Sequence, residues 1–528
     1  MPETTDNPPS SPRPGPPSRR LLIGGAVAAA AVLAFPGAAS ARSATTALRA
    51  DPFTLGVASG DPLPDSVVLW TRLAPDPLDT SSMPSRPVPV HWQIAEDEHF
   101  RRVVAAGTVT ARPELGHSVH VEPRGLRPDR WYHYRFKAGR HLSPVGRTRT
   151  APPPAAGRPL RLAAASCQSL VDGYFTAYRH LAEEDVDLVV FLGDWIYEDP
   201  DSWFTGGVIR PQGDYEPMTL DQYRHRHAEY RMDPDLQLVS ARVPFMPTWD
   251  DHDVVNNWAD MIEPVGRPHP TPDFAARRAA AFQAYYEHLP LRRAQMPNGP
   301  DAQMYRRLRW GRTMDLLMLD TRQYRDDQAC GDGNKVVCEE WSDPRRTMLG
   351  RDQENWLLDR LATSPAVWKA VPQQVPMGQW ELDNDPAVRR RSMDTWDGYP
   401  AARRRILQSI ADRGVENVAV LSGDVHWHMA HDLTLDMEDP DSAPLAADFV
   451  CTSLTSGRDG NDTPTSTLPS NPHLKYSLNR RGYLRCTVDE RHWRTDYRVV
   501  PYVTRPGAPV ETRRSLVVEA GRPGLQDG

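Results

Sequence analysis

The chain has 528 residues, 39% of them hydrophobic and 25% charged, and a net charge of −7. This is ordinary globular composition, enough for a large core plus a second domain. The mildly acidic balance leaves no electrostatic footprint for nucleic acid or anionic lipid, and 52 prolines argue for loop-rich β and α/β architecture over a helical bundle.

The chain opens with a polar, Pro-rich stretch that ends in Ser18-Arg19-Arg20-Leu21-Leu22. An uncharged run rich in Ala and Gly follows, closing on Ala39-Ser40-Ala41. An arginine pair, a weakly apolar run and a small-residue cleavage site read as a twin-arginine export signal over residues 1–41. The expected partner is the twin-arginine machinery, which carries folded cargo, and the expected location is outside the cell. No later segment reaches about 18 continuous apolar residues, so no permanent membrane anchor is expected.

From residue 51 to about 150 short alternating segments predict strands, among them Val67–Thr71, Val88–Ile94 and Trp131–Phe136. Their aromatic and β-branched content at short spacing suggests a small all-β sandwich, fibronectin-III-like in size and pattern, with its Trp and Tyr side chains in the core. Residues 151–157, Ala-Pro-Pro-Pro-Ala-Ala-Gly, read as a linker. From 158 to 528 strands alternate with helices. Strands are predicted at Leu160–Ala165, Leu188–Leu192, Leu316–Leu319 and Val418–Leu421, and helices at 174–184, 221–232, 274–288, 352–361 and 401–412. Mixed α and β on this scale predicts an α+β fold of stacked sheets with flanking helices.

The five cysteines are Cys167, Cys330, Cys338, Cys451 and Cys486. An odd number outside the cell means two bridges and a leftover thiol, or fewer bridges. Cys330 and Cys338 flank a Gly-containing loop and read as a disulfide. Cys451 and Cys486, both in β-like stretches, offer a second pair. Cys167 is then the odd thiol.

Four segments place polar donors just beyond buried strands, where loops commonly hold sites. They are Ala165-Ser166-Cys167-Gln168, Leu192-Gly193-Asp194-Trp195-Ile196-Tyr197-Glu198, Thr248-Trp249-Asp250-Asp251-His252-Asp253 with Asn256 and Asn257 behind it, and Leu421-Ser422-Gly423-Asp424-Val425-His426-Trp427-His428. Each alone is weak, since strand-end Asp residues often cap helices. Together they supply carboxylates, imidazole, thiolate, phenolate and amide, a donor set that mixes hard and soft character.

The order of these blocks resembles the calcineurin-like metallophosphoesterases. The departures resemble its alkaline phosphatase D (PhoD-like) branch: Cys167 opens the first block, Tyr197 closes the second, and Asp424 stands for a histidine in the last. Further segments carry the resemblance, including 53–62, 68–73, 284–288, 319–324, 396–399 and 471–476. It implies a four-layer α/β/β/α metallophosphoesterase sandwich behind the front domain, with C-terminal segments roofing the site. It implies trivalent iron (Fe3+) held by Cys167, Asp194, Tyr197 and His426. Asp194 would bridge to calcium (Ca2+), with Asp251, Asn257 and Asp424 as further ligands. Thiolate and phenolate suit a highly charged iron, and oxygen donors suit hard calcium.

By superfamily analogy His252 meets the phosphate and protonates the leaving group, a role suited to imidazole. Asp250 and Asp253 read as supporting or capping residues. His428 has an outer role or faces the site beside His426. Arg322 and His473 could meet phosphate, with surface or structural roles favoured. The expected reaction is hydrolysis of phosphate mono- and diesters, small-molecule or lipid, for phosphate scavenging. The alternative is phospholipase D action on phospholipid headgroups. A non-catalytic binding protein would have lost ligands, and every named position is filled.

Overall fold

Apolar runs in this chain are short, and they form the strands of two large sheets. The computed structural model describes residues 48–204, 206–264 and 270–528; the expected export signal at 1–41 lies outside the described residues. Leu188–Phe191 is buried along its whole length, as befits a strand covered on both faces. It pairs in parallel with Leu160–Ala165 on one side and Phe245–Pro247 on the other. These three strands lie inside a ten-stranded sheet. One flank runs antiparallel through Arg481–Val488, His492–Val500, Glu511–Glu519 and Arg522–Asp527. The other runs through Val57–Gly60, Val68–Arg72 and Ser118–Val121.

The second sheet has seven strands, in the order Arg306–Trp310, Met314–Met318, Trp368–Pro372, Val418–Ser422, Ala446–Val450, His428–Leu433 and Leu474–Leu478. The alternation of side chains along a strand sorts each sheet's residues between two cores. Val190, Met246 and Leu162 meet Leu316, Leu421 and Phe449 between the sheets. Val189, Ala163 and Phe245 face the other way, onto Tyr178, Tyr223, Leu236 and Phe282. Those last four come from α1 (Thr176–Glu183), α2 (Leu220–Arg231), α3 (Pro234–Arg242) and α4 (Phe274–His288). On the outer face of the seven-stranded sheet, Leu317, Val371 and Val420 pack against Leu357 of α5 (Gly350–Thr363) and Ile406 of α6 (Pro400–Asp412). The fold class is α+β.

Five of these helices match the predicted segments to within a few residues. Helix α3 has no predicted counterpart, although Asp233-Pro234 marks its start: the Asp233 carboxylate accepts from the Asp235 and Leu236 amides, and proline takes the first turn.

The front segment contains the antiparallel layers expected from its pattern, arranged differently. Val103–Ala111, Val88–Ala95, Trp131–Ala138, His141–Leu142 and Gly146–Arg149 form a five-stranded sheet. It packs through Val90, Tyr134 and Phe136 on Val57, Leu69 and Val119, which belong to the ten-stranded sheet. One layer of the front sandwich is therefore continuous with the body. Trp70, Tyr132 and Tyr134 are buried in this region.

Cys330 and Cys338 form a disulfide. The second expected pair does not exist: Cys451 and Cys486 are free and buried. They sit in the core between the sheets, where Cys451 Sγ donates to the Ala164 carbonyl at 3.1 Å and Cys486 Sγ lies 3.5 Å from Thr495 Oγ1. Each serves as a small apolar side chain with a weak donor. Among the described residues no helix is long and apolar enough to cross a membrane.

Candidate metal centre

Loops from the carboxyl ends of parallel strands in both sheets converge on one site. Cys167 follows Leu160–Ala165, Asp194 and Tyr197 follow Leu188–Phe191, and Asp250 and Asp251 follow Phe245–Pro247. From the other sheet, Arg322 follows Met314–Met318, and Asp424 and His426 follow Val418–Ser422. Cys167, Asp194, Asn257, Asp424 and His426 have φ of 57°, 60°, 57°, 68° and 58°. Left-handed backbone at a non-glycine residue costs on the order of 1 kcal/mol or more, and such cost concentrates at functional sites. Gly193 permits the closest approach: a Cβ there would lie 2.3 Å from Asp250 Cβ.

The first donor set is compact. One ligand atom from each of Cys167, Asp194 and His426 falls within 4.8 Å of the others. Tyr197 joins them, its hydroxyl donating to Asp194 Oδ2 at 2.9 Å and lying 3.2 Å from His426 Nε2. Ser456 Oγ stands 2.7 Å from the same phenol oxygen. Burial, and then the charge of Asp194, push the Cys167 thiol and the Tyr197 phenol well above their ordinary values. Burial, and next Arg481, pull the His426 imidazole down to about 3, keeping it neutral.

The second set is richer in carboxylates. Asp194, Asp250 and Asp251 converge within 4.8 Å, as do Asp251, Asp394 and Asp424. Burial and mutual repulsion hold Asp194 and Asp424 well above the usual carboxylate range. Acids crowded like this are relieved by a cation in their midst. A thiol, a phenol, an imidazole and carboxylates on one side, with all-oxygen donors on the other, fit one softer and one harder cation.

Arg322 is the protein's own partial answer to this charge. It is fully buried and bonded to Asp250, to Asp394 at 2.7 Å and to Asp424 at 3.0 Å, and it lies 3.2 Å from Asp251. A guanidinium committed to four carboxylates has a structural role, one of those favoured from the sequence. Asp253 is similarly committed: its carboxylate accepts from the backbone amides of Asp194, Trp195, Ile196 and Asp250, tying two of the loops together.

His252 stands at the rim. Its Nδ1 donates to Glu198 Oε2 at 2.6 Å and its ring lies on Tyr197, centroids 4.2 Å apart. Burial alone would lower this imidazole, but Glu198 and Asp194 outweigh it and hold it well above its ordinary value. With Nδ1 engaged, Nε2 is the edge left to address a ligand. Asn257 donates its backbone amide to Asp251 Oδ2 at 2.7 Å.

Every metal or catalytic residue named from the sequence lies in or against this cluster. His428 and His473 do not join it. His428 packs on the Tyr497 ring, and His473 bonds the Gln379 carbonyl at 2.7 Å beside His431. Sequence reasoning misses Asp394, Arg325, Asp332 and Ser456, and gives Glu198 no role. Glu198 has a signal, four residues past Asp194 in the same block. Arg325 and Asp394 stand just beside the segments 319–324 and 396–399 that carry the resemblance, whereas Asp332 and Ser456 lie on loops with no such neighbour.

Comparison with known proteins agrees with this geometry. The family model described as PhoD-like phosphatase matches residues 162–497, and that for the PhoD-like phosphatase N-terminal domain matches 37–152. The chain is 50% identical over 481 residues to alkaline phosphatase D of Bacillus subtilis (strain 168), covering 90% of this chain and 82% of that protein. It superposes on the solved structure of PhoD with a TM-score of 0.88 at 49% identity, covering 91% of this chain and 92% of that one. A purple acid phosphatase from yellow lupin seeds shares the fold, with a TM-score of 0.51 at 12% identity over 88% of this chain and 73% of that one. With strand-end donors converging as its sequence blocks require, and both family models matched in order, the chain belongs to the PhoD-like phosphatase family and is a phosphoric ester hydrolase.

Proposed function

We propose that this chain is a secreted hydrolase of phosphate mono- and diesters that scavenges phosphate with an iron–calcium centre. The observation that carries the reading is the meeting of Cys167, Asp194, Tyr197 and His426 beside an all-oxygen cluster that shares Asp194. The first four would hold trivalent iron. Asp194 with Asp251, Asn257 and Asp424 would hold calcium. Thiolate and phenolate match the first ion and carboxylate and amide oxygens the second. When bound, the two ions supply Lewis-acid polarisation of the phosphoryl oxygens.

The chain's own residues then orient and move protons. Glu198 fixes the His252 ring through Nδ1, and its charge favours the protonated imidazole. Nε2 then delivers a proton to the leaving-group oxygen. Arg322 and Asp253 hold the carboxylate-bearing loops in place. We read the fold as a four-layer α/β/β/α metallophosphoesterase sandwich behind a fibronectin-III-like front, a reading supported by the helices that pack on the outer face of each large sheet. Export by the twin-arginine route rests on Arg19, Arg20 and the small-residue site at Ala39-Ser40-Ala41.

The test is metal analysis of protein purified without added metal, followed by assays on a phosphomonoester, a phosphodiester and phosphatidylcholine. Iron and calcium should co-purify. A calcium-selective chelator should abolish hydrolysis of the first two substrates, and added calcium should restore it, because oxygen donors release their ion more readily than thiolate and phenolate. Full activity after verified calcium removal would refute the assignment. Headgroup release from phosphatidylcholine as the dominant activity would turn the reading to a phospholipase.

A further inference from the structure

An amide side chain binds a cation only through its oxygen, so its nitrogen has to be turned away and held. Asn257 is the one amide among the residues read here as calcium ligands. Its Nδ2 donates to both carboxylate oxygens of Asp332, at 2.7 and 2.9 Å. A carboxylate accepts from the nitrogen end of the amide and repels the oxygen end, so this contact distinguishes the two ends. The backbone of Asn257 is held as well. Its carbonyl accepts from Arg325 Nη2 at 3.1 Å and from Gln328 Nε2 at 2.7 Å. Both of those side chains also reach Asp394 Oδ1, at 2.6 and 3.0 Å.

Asp332 is itself well anchored. It lies inside the loop closed by the Cys330–Cys338 disulfide, whose ends are 8 residues apart. Cys330, Gly331 and Gly333 have φ of 60°, 83° and 83°, so the chain turns sharply on either side of Asp332. Beyond it, Asn334–Val336 pairs antiparallel with Arg390–Ser392, and the Met393 amide donates to the Gly333 carbonyl at 3.0 Å. The ladder leads directly to Asp394. A covalent ring on one side and a two-stranded ladder on the other therefore fix the carboxylate that grips Asn257.

We propose that Asp332 is a positioning residue for the calcium site: it takes the amide nitrogen of Asn257 and so presents Oδ1 to the ion. The inference rests on the reading of Asn257 as a calcium ligand, and the experiment separates the two. Calcium is titrated calorimetrically into calcium-depleted, iron-loaded protein. Partners that orient a ligand are typically worth about 10- to 100-fold in metal affinity, so Asp332→Ala should weaken calcium binding by that order and leave iron content unchanged. Asn257→Ala should weaken it at least as much. The double variant should bind no more weakly than Asn257→Ala, because Asp332 acts through Asn257 alone. Asp332→Asn keeps the side chain's size and one acceptor oxygen, and should fall between Asp332→Ala and the parent. Unchanged affinity in Asn257→Ala would overturn the ligand reading itself. Lost affinity in Asn257→Ala with none lost in either Asp332 variant, or additive losses in the double variant, would overturn the positioning role alone.

Discussion

Five of the seven residues named as metal ligands hold their backbone in the left-handed region. At each, the chain leaves its strand or loop by a sharp turn that aims a polar side chain inward. This is a local cost accepted for convergence, and the residue types themselves are legible in the amino-acid sequence. A thiol, a phenol and an imidazole at strand ends are hard to explain as helix caps. The consequence for Cys167 and Tyr197 is spectroscopic. If both bind trivalent iron, thiolate and phenolate donate charge to it on light absorption and the protein is coloured. Tyr197→Phe keeps the ring, so packing changes little while the visible band should weaken or shift. Cys167→Ser swaps a soft ligand for a poor one, and iron content should fall. Absorption spectra with metal analysis decide it, and a bound iron whose spectrum neither change alters rules out these ligands.

At the scale of elements, the site depends on loops held together by buried side chains whose partners are distant in sequence. Asp253 accepts four backbone N–H groups from the loops at 194–196 and 250. Burial pushes its carboxyl up to about 7 against those same donors. Asp253→Ala would leave these buried amides without an acceptor. We expect a loss of about 3 kcal/mol or more in denaturant unfolding, together with weaker retention of the metals proposed for the site. Unfolding at the parent's denaturant midpoint would contradict this. The sequence reads Asp253 as a supporting or capping residue, but its partners across the loop are not visible there. The same holds for Asp332 and Asp394. Both are ordinary loop aspartates until the disulfide and the short ladder bring them to Asn257 and Arg322. Helix α3 is a different kind of omission, since its capping Asp233 and Pro234 are a local signal that the sequence does carry.

On the scale of the whole molecule, the front segment is joined to the body by shared strands and by a buried polar seam. Arg72, on a front strand, donates to His288 Nε2 at 2.9 Å, and His288 Nδ1 donates to the Ala284 carbonyl at 2.7 Å. His227 stacks on His288, centroids 4.9 Å apart, and both rings are fully buried. Burial, then Arg72, lowers His227 to about 3 and His288 well below its ordinary value. In the unfolded chain both titrate near 6.5. Below that pH the unfolded state takes up protons the fold refuses, so stability falls as pH drops from about 6.5 towards 3. At pH 5 His227 costs about 2 kcal/mol by this linkage, and His288 acts in the same direction. Thermal unfolding should therefore occur at markedly lower temperature at pH 5 than at pH 7.5, and His227→Phe, which keeps a stacked ring, should lessen the difference. An identical pH dependence in that variant would show that the seam is not responsible.

The amino-acid sequence by itself determined the α+β class, most strands and helices and the one disulfide, and it named the candidate donor residues that the fold brings together. These follow from local periodicity, turn residues and side-chain chemistry, which act over a few positions. Only the tertiary structure decided that the front layer continues the ten-stranded sheet, that Cys451 and Cys486 stay apart as thiols, and that Arg322, Asp332 and Asp394 come to lie against the candidate site. Each of those depends on contacts between segments far apart in the chain. Such contacts are set by how the two sheets pack and where their strand ends meet, and no short stretch of sequence encodes that.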